Sequence, residues 1–165
     1  MIQKLDIQIA VEAEGWAGED ELEHLAGRVL EAAAEYLRRE EDQPFPGMPI
    51  EVSLVFSDDE QVRAINAEWR GQDKPTNVLS FPAFPLVPGG KPGPMLGDII
   101  VARETVEREA AELDKSFTDH LTHLMVHGFL HLFGYDHMVV EEAERMESLE
   151  TRILASLGLS DPYAG

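Results

Sequence analysis

The chain has 165 residues, of which 13 are Lys or Arg and 32 are Asp or Glu, giving a formal net charge of −19. That length suits one domain spanning residues 1–165, and the 44% hydrophobic content fits a globular protein. The charge argues against broad, sequence-independent binding to nucleic acid, which depends on many phosphate contacts, but leaves room for a local basic cleft. The absence of cysteine excludes disulfides and thiolate metal ligands.

No apolar run approaches the length that spans a membrane. The first fifteen residues alternate in polarity and carry acids, which is unlike a signal peptide. We therefore expect a cytoplasmic protein with no membrane association.

The first half of the chain predicts two strands and two helices. Residues 2–11 and Ile50–Phe56 alternate as strands do. A long apolar stripe at helical spacing starts near Asp20 and ends before a proline-containing segment. The cluster from Ser57 to Glu60 predicts an N-cap with acids in the first turn, and the helix that it opens reaches Trp69.

The segment from Asn66 to Pro82 combines a helix end, a polar turn and a short strand over 77–81. Taken alone, Arg70 is most simply a residue that complements the dipole at the C-terminus of its helix. Lys74 adds a second cation nearby, a weak indication of an anion site in an acidic protein.

The second half of the chain predicts a proline-rich loop, one more strand and three helices. Residues 82–95 hold five prolines and three glycines, and Leu96–Val101 is the fourth strand. Helices follow over 103–113, over a histidine-rich stretch capped by Ser116 or Thr118, and over 141–157. Four strands and about five helices in mixed order predict an α+β domain with a mixed four-stranded sheet.

Five of the six histidines fall between His120 and His137, in the stretch HLTHLMVHGFLHLFGYDH. His127 and His131 are four residues apart, so both imidazoles project from one face of a helix. Gly134 follows where a helix can end in a left-handed residue, and the chain can then return His137 to the same point. Three convergent imidazoles predict a metal site on a zincin-like helix, with a fourth position open.

The spacing matches the metzincin pattern H-E-x-x-H-x-x-G-x-x-H, except that Gly128 stands where those proteases carry their general base. The ligand set is thus present without the glutamate that proteolysis uses. His120 and His123 lie on the same helix, and we expect neither to be a ligand because an open catalytic site needs only three.

Three segments of the chain resemble the YbeY endoribonucleases, the bacterial rRNA maturation factors. HGFLHLFGYDH is similar to their metal signature, RGQDKPTNVLSFP to their arginine-containing segment, and LGDIIV to one of their strands. The acidic end of the chain, with GLSDPY, also resembles theirs, so the likeness covers essentially the whole sequence.

This resemblance implies a zinc-dependent, single-strand-specific endoribonuclease of 16S rRNA 3′-end maturation and ribosome quality control. It implies that His127, His131 and His137 bind the zinc ion, and that Arg70 is catalytic rather than a helix cap. It also implies partners: precursor rRNA, the small ribosomal subunit with one of its proteins, and a ribosome-assembly GTPase. Further candidates for contacts with substrate or ligands are Lys74, Asn77, Ser80, Asp98 and Asp136.

Two alternatives remain open on the sequence. The same histidines can serve a metal-dependent hydrolase of another substrate, including a peptide, although the missing glutamate counts against proteolysis. They can also serve a non-catalytic ribosome-assembly module with structural zinc, although structural sites usually have four protein ligands. Zinc is the first expectation for the metal, while nickel, copper or cobalt also suit three imidazoles.

Overall fold

The structure, a computed structural model, describes residues 5–163 and contains one mixed sheet with five helices in that range. The strands are β1 (Leu5–Val11), β2 (Ile50–Ser57), β3 (Val78–Pro82) and β4 (Met95–Ala102). The helices are α1 (Glu19–Glu40), α2 (Asp59–Arg70), α3 (Arg103–Glu112), α4 (Phe117–Leu132) and α5 (Val140–Ser156). The predicted single α+β domain is confirmed. The predicted first strand began at residue 2, and residues 2–4 lie outside the described part of the chain.

The strand order in the sheet is β1-β2-β4-β3. β1 pairs parallel with β2 and β2 parallel with β4, whereas β3 runs antiparallel to β4 at one edge. Parallel neighbours need a crossover, and α1 supplies the one between β1 and β2. The edge position of β3 leaves one side of that strand free of a strand partner, beside α4.

The main core lies between one face of the sheet and the helices α1, α4 and α5. Helix α4 is buried on most of its surface because apolar residues occur on several sides of it, as Leu124, Phe129 and Leu130 show. Removing a fully buried ring such as that of Phe129 would cost about 3–5 kcal/mol. A smaller apolar cluster joins α2 to the opposite face of the sheet at β3 and β4.

Helix caps explain where two site-bearing helices begin and end. The side chain of Asp58 accepts a hydrogen bond from Gln61 N at 2.9 Å, which confirms the predicted cap cluster. Helix α2 ends at Arg70 and is stopped by Gly71, as predicted, because Gly71 takes the left-handed conformation with a φ of 68°. Of the two predicted caps for α4, Ser116 is the one used, because its Oγ accepts from Asp119 N at 3.1 Å.

No helix among residues 5–163 combines the length and the apolar character that crossing a bilayer requires.

Candidate metal centre

The three histidines of the predicted metal site converge at the C-terminal end of α4. His127 and His131 lie one turn apart on the helix, which ends at Leu132. Gly134 then takes a φ of 96°, and Tyr135 N donates to Leu130 O at 3.2 Å, so the chain turns back on itself. A Cβ at Gly134 would also overlap the backbone of Leu86, so glycine is required for space as well as for conformation.

The imidazole nitrogens lie close enough to share one ion. One nitrogen each from His127, His131 and His137 lies within 4.8 Å of the others, and Nε2 of His127 is 3.1 Å from Nε2 of His131. Zinc–nitrogen bonds measure about 2.0–2.1 Å, so two nitrogens on one ion are at most about 4.2 Å apart. The His127–His131 pair therefore fits a shared metal.

A buried carboxylate sets the orientation of one of these histidines. Glu150 on α5 is fully buried, and its Oε2 lies 3.3 Å from Nδ1 of His127. Its Oε1 lies 2.6 Å from Nε2 of His123 and accepts a hydrogen bond from the Tyr163 hydroxyl at 3.0 Å. The 3.3 Å contact is too poorly aligned for a full hydrogen bond, but it favours a proton on Nδ1 of His127. The lone pair of that ring is then on Nε2, facing His131.

The pKa values of His131 and Glu150 favour metal binding. Burial, followed by the neighbouring His127 and His137, lowers the pKa of His131 to about 4, so this imidazole is neutral near pH 7. Burial by itself raises the pKa of Glu150, but its interactions with His123 and His127 outweigh the burial and lower that pKa to about 2. Neutral imidazoles backed by an ionised carboxylate are the form in which histidine binds a metal.

The histidines line a cleft of about 620 Å³ that Arg70 also lines. The cleft runs between the end of α4, the edge strand β3 and the loop before β4. Arg70 is exposed at the last position of α2 and makes no described ion pair among residues 5–163. Its guanidinium is therefore available to an anion, although it is 57 residues before His127 in the chain.

Three of the five additional candidates line the same cleft: Asn77, Ser80 and Asp136. Ser80 donates its hydroxyl to Gly128 O at 3.1 Å, bracing β3 against the metal helix. Asn77 donates to Glu109 Oε1 at 3.0 Å and accepts from Val78 N at 2.7 Å. Asp136 Oδ1 accepts from His137 N at 2.7 Å, so it shapes the turn that carries the third histidine.

The other two candidates lie outside the cleft. Ile99 faces α4, and side chains alternate along a strand, so the exposed Asp98 points to the opposite face of the sheet. The structure therefore does not bring Asp98 to the histidines. Lys74 is exposed on the turn after α2 and lines a neighbouring groove instead.

The position of Gly128 explains why the metzincin glutamate has no counterpart. A Cβ there would lie 3.0 Å from Ile99 Cγ2 and 3.1 Å from Ser80 Oγ, tighter than ordinary van der Waals contact. The helix packs too closely on β3 and β4 at this point for a longer side chain.

The two histidines expected to be non-ligands have other partners. His120 is buried, and its Nε2 lies 2.8 Å from Glu109 Oε1. His123 contacts Glu150, as described above. Neither belongs to the group of nitrogens that can hold one ion.

Glu150 and Tyr163 were not expected from the sequence, although a signal for Glu150 exists. Met146, Leu149 and Ile153 form the buried stripe of α5, and Glu150 lies on that stripe at helical spacing. An acid on an otherwise apolar face predicts a buried partner, here the pair of histidines on α4.

Comparison with known proteins shows the family of this chain. A family model described as endoribonuclease YbeY matches residues 8–158. The chain belongs to this family. The YbeY match includes Arg70, the three histidines and Glu150.

Relatives of the same name match over nearly their full length. The chain is 77% identical over 161 residues to the endoribonuclease YbeY of Agrobacterium fabrum, covering 98% of this chain and 96% of that protein. It is 72% identical over 159 residues to the endoribonuclease YbeY of Rhizobium meliloti, covering 96% and 95%. A solution structure from Thermotoga maritima is similar with a TM-score of 0.56 at 25% identity, covering 97% of this chain and 100% of that one.

Proposed function

We propose that this protein is a zinc-dependent endoribonuclease that cleaves single-stranded RNA and matures the 3′ end of 16S rRNA. The observation that carries the proposal is the shared cleft, which is lined both by three imidazoles that can hold one ion and by Arg70, an arginine with no ion pair among residues 5–163. Membership of the endoribonuclease YbeY family supports RNA as the substrate.

The histidines supply the metal site. His127, His131 and His137 would hold the ion, and Glu150 keeps the His127 ring turned with Nε2 toward the site. Zinc bound there supplies Lewis acidity toward a phosphodiester and toward water. Three neutral ligands suit this task because they leave the charge of the ion undiminished.

Arg70 supplies the second positive charge of the cleft. A guanidinium can bind two phosphate oxygens with parallel hydrogen bonds, and it keeps its charge at any physiological pH. We assign to Arg70 the binding of the scissile phosphate and the stabilisation of negative charge that develops on it during cleavage.

The small number of acidic side chains that line the cleft supports RNA rather than peptide as the substrate. Asp136 is the one carboxylate among the residues that line the described cleft, and its Oδ1 is engaged by His137 N. Gly128 stands where a zinc protease carries its general base. Hydrolysis of a peptide would therefore lack its usual proton acceptor.

The three-ligand site and its open cleft also favour an enzyme over an assembly module with structural zinc, which usually has four protein ligands. Association with the small ribosomal subunit, with one of its proteins and with an assembly GTPase, and a cytoplasmic location, are part of the proposal through the family resemblance.

One preparation can test the activity and its rivals. We expect zinc in the purified protein, cleavage of a defined single-stranded RNA, and no cleavage of casein. The His131→Ala variant should lose metal and RNA cleavage together. Casein cleavage, or RNA cleavage that persists in metal-free His131→Ala, would contradict the proposal.

A further inference from the structure

A second groove of about 500 Å³ adjoins the metal cleft. Arg70, Thr76 and Asn77 line both spaces, so the groove continues directly from the cleft. Lys74 and Arg108 line only the second groove. We propose that this groove, called here the basic groove, binds the sugar-phosphate backbone of the RNA strand that extends beyond the metal cleft. The choice of RNA as ligand rests on the proposed function.

The basic groove is an exception in the charge distribution of the protein. The whole chain has 13 basic and 32 acidic residues, whereas the ten residues that line this groove include three cations and one acid. Most of a nucleic-acid strand's affinity for a protein comes from phosphate contacts. An acidic protein that binds RNA must concentrate those contacts at such a place.

The neighbouring acids are already engaged. The one acid that lines the groove, Glu109, receives Asn77 Nδ2 at 3.0 Å and lies 2.8 Å from Nε2 of His120, both on Oε1. Asp73, beside Lys74 in sequence, binds Arg63 with both carboxylate oxygens at 2.9 and 3.2 Å. The Glu109 carboxylate is therefore engaged by Asn77 and His120, and the charge of Asp73 is partly offset by Arg63, which does not line the groove.

The two cations specific to the groove are held differently. Lys74 is exposed and forms no described ion pair among residues 5–163, while its backbone is anchored by Asn66 Nδ2, which donates to Lys74 O at 2.9 Å. Arg108 donates to the Thr105 hydroxyl at 3.2 Å and forms a long ion pair of 3.4 Å with Asp59. That pair offsets part of the Arg108 charge, so Lys74 should contribute more.

The metal cleft and the basic groove form a continuous path for an RNA strand. Arg70 stands where the metal cleft and the basic groove meet, and Lys74 and Arg108 line the groove beyond it. A strand whose scissile phosphate lies by the histidines can place its next phosphates against these cations. Such contacts bind backbone without reading sequence.

The test measures binding separately from cleavage. A fluorescent 2′-O-methyl oligonucleotide of about 12 nucleotides, and one of about 4, resist cleavage and bracket the length that a groove of this kind accommodates. Affinity is measured by anisotropy over a range of salt for wild type, Lys74→Ala, Arg108→Ala and the double variant. Lys91→Ala is the matched control, since Lys91 is exposed and lines neither space.

Each lost phosphate contact on a single strand should reduce the slope of log affinity against log salt by about 0.7, which is about fivefold in affinity at 0.1 M salt. For the long oligonucleotide we expect about a fivefold loss of affinity in Lys74→Ala and a loss of at most that size in Arg108→Ala. Both variants should lose less affinity for the short oligonucleotide. Lys91→Ala should lose none. Lys74→Arg should retain affinity, because a backbone contact needs the charge and not the particular head group.

Two results separate this proposal from the proposed function. If wild type cleaves RNA but Lys74→Ala and Arg108→Ala bind the long oligonucleotide as Lys91→Ala does, the basic groove is not an RNA site and the inference is overturned. If binding depends on Lys74 and Arg108 as expected while wild type cleaves no RNA, the groove proposal stands and the activity does not.

Discussion

Oε2 of Glu150 lies 3.3 Å from Nδ1 of His127, although the two residues belong to different helices and Glu150 has no exposed surface. A buried carboxylate without a partner would be costly, and this one has histidines on both oxygens and a tyrosine on one. The arrangement places the orientation of His127, a proposed metal ligand, under the control of α5 and of Tyr163 near the end of the chain.

Replacing Glu150 with glutamine should weaken metal binding about 10- to 100-fold, the usual effect of losing an outer carboxylate from a ligating histidine. The amide keeps the size of the side chain but loses the charge that favours a proton on Nδ1 of His127. Zinc affinity would be measured by competition with a chromophoric chelator. The matched control is Glu144→Gln, an exposed position on the same helix. Equal zinc affinity in both variants would remove Glu150 from the metal site.

Alanine at His127 or His131 should abolish stoichiometric metal binding, because the two remaining imidazoles no longer enclose an ion. His123→Ala should retain about one metal per chain, since His123 contacts Glu150 and is not one of the convergent ligands. Metal content by mass spectrometry distinguishes the two classes. A loss in His123→Ala as large as in His137→Ala would place His123 among the ligands.

Arg70→Ala should leave the fold and the zinc content intact while reducing single-turnover RNA cleavage by roughly 10²-fold or more, the scale of one transition-state contact. Arg70→Lys should restore little, because an ammonium keeps the charge but loses the planar pair of donors. Arg152→Ala, exposed on α5, is the matched control. Full activity in Arg70→Ala would return Arg70 to the role of a helix cap.

Gly128→Ala and Gly27→Ala should have opposite effects on stability, although both glycines lie inside helices. Alanine favours a helix over glycine by about 0.5–1 kcal/mol, and nothing lies within 4 Å of a Cβ at Gly27. At Gly128 the new methyl group would press on Ile99 and Ser80, and overpacking of this kind costs about 1–3 kcal/mol. Urea unfolding of the metal-free proteins gives the comparison. A stabilised Gly128→Ala would show that β3 and β4 yield easily.

His120 should make the protein less stable in mild acid. Burial is the main cause that lowers the pKa of His120 from its ordinary value of 6.5, and it outweighs the opposing effect of Glu109. His123 and Lys115 also face this ring and lower its pKa further. Below about pH 6.5 the unfolded chain therefore binds a proton that the native ring resists, and stability falls as the pH falls.

The fall in melting temperature between about pH 7.5 and 5.5 should be smaller in His120→Asn than in wild type, because asparagine does not titrate. His24→Asn, at an exposed position of α1, should fall as wild type does. Identical pH profiles for all three proteins would show that His120 is not protonated more readily in the unfolded chain.

The sequence by itself determined the parts of the site that depend on local geometry. His127 and His131 share a face because a helix repeats every 3.6 residues, and Gly134 permits the turn that returns His137. Local sequence patterns also predicted two other elements: the N-cap cluster predicted the start of α2, and alternating polarity predicted β2. Arg70 was assigned to the site only through the resemblance to known motifs, because an arginine at the end of a helix by itself indicates no more than a helix cap.

Only the tertiary structure decided which distant side chains meet. Glu150 reaches His123 across 27 positions of the chain, and Arg70 lines the histidine cleft, because the helices pack against one sheet in a particular order. Asp98 belongs to the LGDIIV segment of β4, yet its side chain points away from α4 because side chains alternate between the two faces of a strand. Such contacts depend on which helix or strand packs against each buried face. Local periodicity predicts that a face is buried but does not specify the element that covers it.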